Sequence, residues 1–550
     1  MKLQVLNPVS QIVDPKKKGA LAPRLPTFEG KVIGLFWNYK PGGDAALRRT
    51  EELLKARYPG LETKSYIGES GLHYLSKAQV KQITQECAAV IGSTADWGGC
   101  TSWLAHDMAE LEKVGVPTVT FLDQEFLKDW RHSAPVYGFK DIPRVIMPRA
   151  FVGMQAEDIY TLVDAGFETL VKMLTQPMEQ EAADENGARL TELITIEGED
   201  RYVAEHVNMN RMFLDQAWGD GFPLWAPTRK RVDAMLSGTR RAPTEVVAVL
   251  PPGSGLATVE KIAINAVMAG CRPEHLPVLL AAVEAVSEPP FIMRNIAIST
   301  GPHAPLMVVN GPLVKKLGIN TGRCALGPGA QSEVNTVLGR AIRLIYMNVA
   351  HAYPGIGDMD TLGSPAKYSM CLGENDDANP WEPYHVEKGF DRDTSAVTMF
   401  NSYALCDVHA LIGTTPEEVS DTICSTACNQ GIGSVGYWLT GWRSDHVKEK
   451  HLLLVCPSHA AVYKKFGWSK QDIRDYIFKH ARIPFWRHMK NKPEVAVRTA
   501  HPELWSAPDA LIPILETPDC FEIMVAGAMG GARSTYSYGA CEPVTRPVEQ

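Results

Sequence analysis

Long apolar runs are absent from this sequence, and so is any surplus of basic residues. No stretch of about 18 consecutive apolar residues occurs in the 550-residue chain, so we expect no ordinary transmembrane helix. The opening residues, MKLQVLNPVSQIVDPKKK, lack the uninterrupted apolar region of a secretion signal. The formal net charge is −8, and the basic run at residues 16–18 is short. The composition therefore argues against a membrane or a nucleic-acid partner.

Cysteines are few and scattered, with eleven in 550 residues and without the dense spacing of a disulfide framework. Cysteines used in this way in a cytosolic protein are mostly reduced, buried or catalytic, and we expect a cytoplasmic location. The chain also lacks P-loop, HExxH, EF-hand and CxxC patterns, so no motif names a nucleotide or metal cofactor. Its length exceeds what one core can fill and predicts about two to four domains.

Strand and helix patterns alternate from residue 31 to residue 175, which predicts a parallel sheet covered by helices on both faces. The predicted strands are KVIGLFWN, residues 62–67, 88–95 and 116–122, and RVIMP. The predicted helices include residues 43–58, 76–86 and 156–174, and one that begins near Cys100. A flavodoxin-like strand order, 2-1-3-4-5, fits this spacing. A ligand would then bind between the carboxyl ends of the first and third strands.

The composition divides the chain into four parts. Residues 1–30 are punctuated by proline and predict an extended arm over the first domain, which spans residues 31–175. The acidic run QPMEQEAADEN opens a predicted linker over residues 176–190. Residues 191–550 are expected to form a larger α/β unit, for which one body and two lobes are both open. No repeat of fixed period is evident there.

The segment DWGGC, residues 96–100, lies where the third predicted strand gives way to a helix. A thiol at a helix start lies near unpaired backbone N–H groups and the positive end of the helix dipole, and both favour the thiolate. The position of Cys100 therefore predicts a lowered pKa and a nucleophilic sulfur near neutral pH. A cysteine that only packs at the helix start is the competing interpretation.

The run GSTADWGGCTSWLAHDMAELEKVGVPTV resembles the signature of the UGSC family, which is named for Sec/Cys-Gly-Ser-Cys. Cys100 matches the second sulfur position, and the resemblance continues through Thr-Ser-Trp to His106 and Asp107. Trp97 stands at the Sec/Cys position and Gly99 replaces the motif serine, so a local Sec–Cys or Cys–Cys couple cannot form. Four later runs resemble proteins associated with the same family: GFPLWAPTRKRVDAML, ATVEKIAINAVMAGCRPEHLPVLLAA, VNGPLVKKLGIN and CLGENDDANPWEPYHVEKGF.

These residues suggest a set of roles at the crevice. Cys100 would be the nucleophile or an acid–base group, with His106 and Asp107 as an orienting and supporting pair. Because His106 lies six positions after Cys100, the two do not share a helix face, and direct contact within one straight helix is not expected. The pair would then face the second unit or be an ordinary buried or solvated pair. The candidate substrate contacts are Asn38, Asp96, Trp97, Thr101 and Arg533.

Two parts of the C-terminal unit could hold a metal or a reactive group. The run GENDDANPWEPYHVE is dense in oxygen and imidazole groups, with an acidic solvated loop as the competing interpretation. The segment VCPSH, residues 455–459, ends an apolar strand, where α/β enzymes place reactive groups, with an ordinary strand-to-loop turn as the competing interpretation. The candidate metal ligands from both are Glu374, His385 and His459.

Two further elements of that unit have simpler competing interpretations. The run AGAMGGARS would expose backbone N–H groups to a carboxylate or phosphate beside Arg533, or form a tight turn. Cys271 ends an apolar helix and is either a small core thiol or a redox partner for Cys100.

Three functions remain open on the sequence. The leading hypothesis is a thiol-dependent enzyme (a lyase, transferase or oxidoreductase) acting on a small polar or anionic molecule at an inter-domain cleft. The first alternative is a metal-dependent hydrolase or lyase centred on the C-terminal unit. The second is a non-catalytic ligand-binding or assembly protein in which Trp97 stacks on a ligand. A homo-oligomer is compatible with each.

Overall fold

The computed structural model describes most of the chain, with gaps. The described residues are 1–13, 19–68, 74–177, 192–410, 413–429, 431–433, 435–440, 447–492 and 494–549. Most of the predicted linker, residues 176–190, therefore lies outside the described residues.

The N-terminal domain alternates strands and helices as the sequence predicts. Strand β1 (Lys2–Leu6) lies in the arm before the domain. The strands of the domain are β2 (Val32–Trp37), β3 (Glu62–Ile67), β4 (Ala89–Ala95), β5 (Thr118–Asp123) and β6 (Arg144–Met147). Its helices are α1 (Gly43–Arg57), α2 (Lys77–Glu86), α3 (Gly98–Lys113), α4 (Leu127–Val136) and α5 (Ala156–Thr175).

Strands β2 to β6 form one sheet in the order β3-β2-β4-β5-β6, and every pairing is parallel. This order confirms the predicted 2-1-3-4-5 arrangement. Helices α1 and α5 enclose one apolar cluster against the sheet, and α2, α3 and α4 enclose another on the opposite face. Right-handed crossovers place successive helices in this way, so the carboxyl ends of β2 and β4 meet at one edge.

The larger C-terminal unit also mixes strands and helices. Its strands are β7 (Leu193–Glu197), β8 (Val246–Leu250), β9 (Gly255–Thr258), β10 (Ala304–Asn310), β11 (Tyr353–Pro354), β12 (Gly357–Asp358), β13 (Cys371–Gly373), β14 (Ala396–Ser402), β15 (Ala404–His409), β16 (His451–Val455), β17 (Arg482–Pro484), β18 (Leu511–Pro513), β19 (Phe521–Val525), β20 (Arg533–Tyr538) and β21 (Val544–Pro547). Its helices are α6 (Met209–Asp215), α7 (Arg229–Leu236), α8 (Val259–Ala269), α9 (Leu276–Ser287), α10 (Met293–Ala297), α11 (Leu313–Leu317), α12 (Glu333–Asn348), α13 (Tyr384–Glu387), α14 (Pro416–Ala427), α15 (Pro457–Lys465), α16 (Lys470–His480), α17 (Phe485–His488) and α18 (Glu494–Ala500).

Two four-stranded sheets of the C-terminal unit pack face to face. Leu306 and Leu454, from β10 and β16, share the apolar layer between them. The alternate residues Met307 and Leu453 point to the outer layers, which contain α8, α9 and α12 on one side and α14, α15 and α16 on the other. Because side chains alternate along a strand, both faces of each sheet are buried. The unit is a four-layer sandwich.

The two sheets repeat one topology. Their orders are β13-β10-β14-β21 and β19-β16-β20-β15, and in each the first pairing is parallel and the other two are antiparallel. One strand of each half lies in the sheet of the other half. Strand β15 follows β14 in the chain but pairs with β20, and β21 follows β20 but pairs with β14. The unit is therefore built from two interlocked halves, a relationship that no fixed sequence period revealed.

The N-terminal arm joins both units and does not lie over the first domain alone. Strand β1 pairs antiparallel with β7, and Val5 lies in the core of the C-terminal unit. Leu25 and Phe28 lie in the core of the first domain. Within the described ranges, no helix taken alone has the length and apolar composition of a membrane span, and by those two criteria only the bent pair Pro273–Ser287 and Pro289–Ala297 passes when taken together.

Candidate functional site

A cavity of about 550 Å³ lies between the two units, at the edge of the parallel sheet where β2 and β4 end. The N-terminal domain lines it with Lys40, Pro41, Trp97, Gly99, Cys100, Trp103 and Val152. The C-terminal unit lines it with Ile292, Asn295, Ile296, Ser299, Thr300, Gly301, His303, Tyr403, Gly433, Tyr437, Lys490, Lys492 and Ala540. This is the edge at which open α/β sheets bind ligands, and the strand order predicted from the sequence places a crevice there.

Lys40 reaches the cavity through a tight turn after β2. Tyr39 adopts a left-handed conformation with φ of 65°, and the indole N–H of Trp37 donates to the Lys40 carbonyl at 2.8 Å. The Lys40 ammonium lies 3.8 Å from the ring centroid of Trp97, a cation–π distance. The lysine is buried, whereas Trp97 is 41% exposed. Trp97 therefore forms an open face of the cavity with a positive charge held against it.

Helix α3 begins at the cavity wall without a side-chain cap. Its N-cap is Trp97, which offers no side-chain oxygen to the first N–H groups. The N–H of Thr101 donates to the Trp97 carbonyl at 2.7 Å, so the amides of Gly98, Gly99 and Cys100 precede the first helical hydrogen bond. Gly99 lines the cavity, and no atom would lie within 4 Å of a Cβ added there. The helix start is an open cradle for negative charge.

Cys100 lines the cavity, but its pKa shifts in the direction opposite to the prediction. Burial raises the pKa of the thiol to about 11, and the nearby carboxyl of Asp96 acts in the same direction. The charge and hydrogen bonding of Lys40 lower this pKa without offsetting burial. The prediction of a thiolate near neutral pH is therefore wrong for the protein without ligand, because loss of solvation outweighs the helix dipole.

The C-terminal wall adds groups that sequence reasoning missed. Lys490 and Lys492 enter from the segment after α17, and the Lys492 ammonium donates to the Gly433 carbonyl at 3.4 Å. His303 precedes β10, and its Nδ1 lies 2.7 Å from the Asn401 side-chain nitrogen. Among the described lining residues there is no aspartate or glutamate. No motif marks these residues, since they come together only in the folded chain.

His106 and Asp107 do not line the cavity. The His106 ring packs edge-on against Trp103 and Tyr137, with centroid distances of 5.7 and 5.3 Å. Its Nδ1 lies 3.2 Å from the carboxylate of Asp107, which is buried. Helix geometry predicted that His106 would not meet Cys100, and the pair instead faces the inter-domain contact.

The inter-domain contact is built around Arg294 of α10. Its guanidinium donates to the Ser102 hydroxyl at 2.8 Å and lies over the rings of Trp103 and Tyr137, at 4.6 and 5.0 Å. The Trp103 indole N–H donates to the Asn295 side chain at 2.8 Å. The motif residues Ser102 and Trp103 therefore hold the two units together at the cavity.

Three predicted substrate contacts are used inside the domain instead. The Asn38 amide donates to the Thr94 carbonyl at 2.9 Å and accepts from the Thr94 N–H at 3.0 Å, so it ties the ends of β2 and β4 together. Thr101 is fully buried. Asp96 is buried behind the wall, where burial raises its pKa to about 6 against the lowering effect of Lys40. Of the predicted substrate contacts, only Trp97 lines the cavity.

Arg533 and Cys271 lie away from the cavity lining. Arg533 opens β20 and forms an ion pair with Asp407 on the neighbouring strand β15. Its charge is thereby used within the sheet. The Cys271 thiol donates to the Val337 carbonyl at 3.4 Å and packs against the C-terminal core, which rules out a local pairing with Cys100 in this conformation.

The candidate metal ligands serve separate hydrogen bonds. Glu374 accepts from the Tyr384 N–H at 2.7 Å and from the Asn379 amide at 3.0 Å. The ring nitrogen Nε2 of His385 lies 3.2 Å from the Arg392 carbonyl. The third candidate, His459, has its Nδ1 2.7 Å from the Ser534 hydroxyl. Across the part of the chain that the structure describes, no three His, Cys, Asp or Glu side chains are grouped so that they could hold a metal ion.

A second thiol, Cys456, differs from Cys100 in its electrostatics. It caps α15 at the end of β16, and its N–H donates to the Ser534 hydroxyl at 3.0 Å. The same hydroxyl lies 2.7 Å from Nδ1 of His459. Burial acts to raise the pKa of Cys456, but hydrogen bonds from His459 and Ser534 outweigh it, so the pKa is lowered. Cys456 is buried and lies outside the cavity lining.

Comparison with known proteins finds a family match for the N-terminal part of the chain. A model of the UGSC family matches residues 4–176. Searches of curated proteins and of solved structures find no match. The matched residues carry the parallel sheet, the α3 start and one wall of the cavity. The resemblance to the UGSC family is therefore confirmed over residues 4–176 of this chain.

Proposed function

We propose that the protein is an enzyme that acts on a small anionic molecule in the inter-domain cavity, with Cys100 as its nucleophile or acid–base group. The observation that carries this proposal is the position of the thiol. Cys100 lies at the carboxyl edge of the parallel sheet, at an open helix start, beside Lys40 and in a cavity lined by lysines. Each of these features attracts an anion to the sulfur.

The raised pKa determines the protonation state of the Cys100 thiol before a ligand binds. With a pKa of about 11, Cys100 is protonated in the ligand-free protein at neutral pH, so it can donate a proton. Once the proton leaves, the Lys40 ammonium is the neighbouring charge that stabilises the sulfur anion, because it already lowers this pKa. Lys40 thus supports both the acid–base role and the nucleophilic role of Cys100.

The C-terminal unit contributes the opposite wall of this site. His303 provides an imidazole, and Tyr403 lies 4.7 Å from it in an edge-on ring contact. Both line the cavity. A substrate held between the walls would thus meet a thiol on one side and an imidazole on the other. In this proposal the imidazole that faces Cys100 across the cavity is that of His303, and His106 has no direct role.

Turnover is tested by incubating the protein with small carboxylates and organic phosphates in D₂O and recording proton NMR spectra. New signals report cleavage or transfer, and loss of C–H signals reports proton exchange. We expect Cys100→Ser to lower the rate at least about 100-fold, because the acid–base or nucleophilic group is lost. Cys324→Ser, at an exposed cysteine outside the cavity lining, should leave it unchanged. Full turnover by Cys100→Ser would contradict the role of the thiol, and binding without any turnover would favour a binding protein.

The coupling of Cys100 to Lys40 is tested by alkylation. We expect the rate at Cys100, followed by mass spectrometry, to rise with pH toward a pKa of about 11. Lys40→Met removes the lowering charge, so the pKa should rise and the rate at pH 9 should fall about tenfold. The Lys40 charge should also favour the anion iodoacetate over neutral iodoacetamide in the wild-type protein, and this preference should be lost in the Lys40 variant. Lys464→Met, at an exposed lysine outside the lining, is the matched control. Equal rates in the Lys40 and Lys464 variants would show that the two groups are not coupled.

A further inference from the structure

We infer that the cavity takes a small molecule with two acidic groups, one bound by each wall. This inference rests on the proposed function, whose anionic substrate it specifies. The N-terminal wall offers Lys40 together with the open start of α3. The C-terminal wall offers Lys490 and Lys492. The two positive groups belong to different units and enter the cavity from different segments of the chain.

The cavity lining is aromatic as well as basic. Trp97, Trp103, Tyr403 and Tyr437 contribute aromatic side chains to the lining of the same space. The described lining contains no aspartate or glutamate, and the carboxyl of Asp96, whose pKa Lys40 lowers, lies behind the wall. A cavity of about 550 Å³ is about 10 Å across if it is round, which is room for a small molecule with acidic ends and a less polar centre.

Two anchoring points suit a diacid better than a monoacid. A monoacid places its charge at one wall only, so the ligand makes no charge-assisted contact with the lysines of the other wall. A diacid makes charge-assisted hydrogen bonds at both walls, and the second is made within one complex. Such a ligand also connects the two units, since its ends are held by residues of each.

The test compares diacids with matched monoacids by calorimetry at low salt. The probes are oxalate, succinate and adipate against acetate, butyrate and hexanoate, with pyrophosphate against phosphate as a second series. We expect at least one diacid to bind at least about tenfold more tightly than its monoacid partner. A preference for pyrophosphate would assign phosphate ends, and a preference for a dicarboxylate would assign carboxylate ends.

Variants assign the two ends to the two walls. Lys40→Met and the double change Lys490→Met with Lys492→Met should each remove the diacid preference while monoacid binding at the remaining wall persists. Persistence of monoacid binding also shows that the variants are folded. Lys464→Met is the control and should keep the preference. Equal affinities for every matched pair, or a preference that survives the C-terminal double change, would overturn the inference.

The same experiment separates this inference from the proposed function. Cys100→Ser removes only the thiol, so it should bind the preferred diacid as tightly as the wild-type protein does. A diacid preference in a protein without turnover would leave this inference standing and defeat the enzyme proposal. Cys100-dependent turnover of monoacids, without a diacid preference, would do the reverse.

Discussion

Gly98→Ala is expected to lower the free energy of unfolding by about 3 kcal/mol, because α3 begins in contact with the C-terminal unit. A Cβ added at Gly98 would lie 2.1 Å from the Ile298 carbonyl oxygen and 2.6 Å from Cβ of Met359. The nearer of these is a backbone atom, so the loop after α10 must move. Since that loop also lines the cavity, ligand binding should weaken together with stability. Urea unfolding and calorimetric titration measure the two effects.

Gly99→Ala is the matched control for this substitution. The two glycines are adjacent in the first turn of the same helix, but a Cβ at Gly99 would meet no atom within 4 Å. Alanine is the better helix former, so this variant should be unchanged or more stable by up to about 1 kcal/mol. Similar losses in both variants would show that helix-start flexibility matters and that the inter-domain contact does not.

The sequence was sufficient to predict the fold of the N-terminal domain, because the alternation of strands and helices and the short connections between them indicate the same parallel sheet. Strand β3 has the predicted bounds, Glu62–Ile67, and the strand order follows from short crossovers of one hand. The C-terminal sandwich was not predicted. Its strands β10 and β16 are buried on both faces and read as plain apolar runs, which do not reveal their partners. The exchange of β15 and β21 between halves is a long-range pairing without a local signal.

The candidate site was predictable in its location and not in its composition. The switch-point rule placed it at the ends of β2 and β4, and Cys100 and Trp97 do line it. Asn38 was expected to contact substrate, but its side-chain amide is buried and both donates to and accepts from the Thr94 backbone. The sequence gives the identity of a polar side chain at a strand end, whereas its hydrogen-bond partners depend on the neighbouring strand.

The pKa of Cys100 illustrates a second limit of sequence reasoning. A helix start lowers a thiol pKa when the sulfur is solvated, and this is the local rule that the sequence supports. In the folded chain the Cys100 thiol is buried, and the loss of solvation reverses the net shift. The decisive quantity is therefore the burial of the thiol, which depends on the folded chain and not on the local segment. No inspection of the DWGGC segment could supply it.

Arg294→Met is expected to lower the free energy of unfolding by about 3 kcal/mol at pH 7.5, because it removes the cation that faces two buried carboxyl groups. Burial raises the pKa of both Asp107 and Asp129 to about 6, and the charge of Arg294 acts against that rise. Burial in turn lowers the pKa of Arg294 to about 10, still well above neutral pH. The guanidinium is therefore charged over the pH range in which the two carboxyl groups ionise.

The pH dependence gives this variant a distinctive signature. A carboxyl whose folded pKa lies above its unfolded value favours the folded state most at low pH, and that contribution is lost as pH rises from about 4 to about 6. Without Arg294 both folded pKa values should rise further, so the loss should extend above pH 6. At pH 5 the folded carboxyls are largely protonated and the variant should lie closer to wild type. Arg211→Met, at an exposed pair with Asp215, should show no such trend. Equal destabilisation by Arg294→Met at pH 5 and pH 7.5 would mean that its ring contacts with Trp103 and Tyr137, and not its charge, hold the two units together.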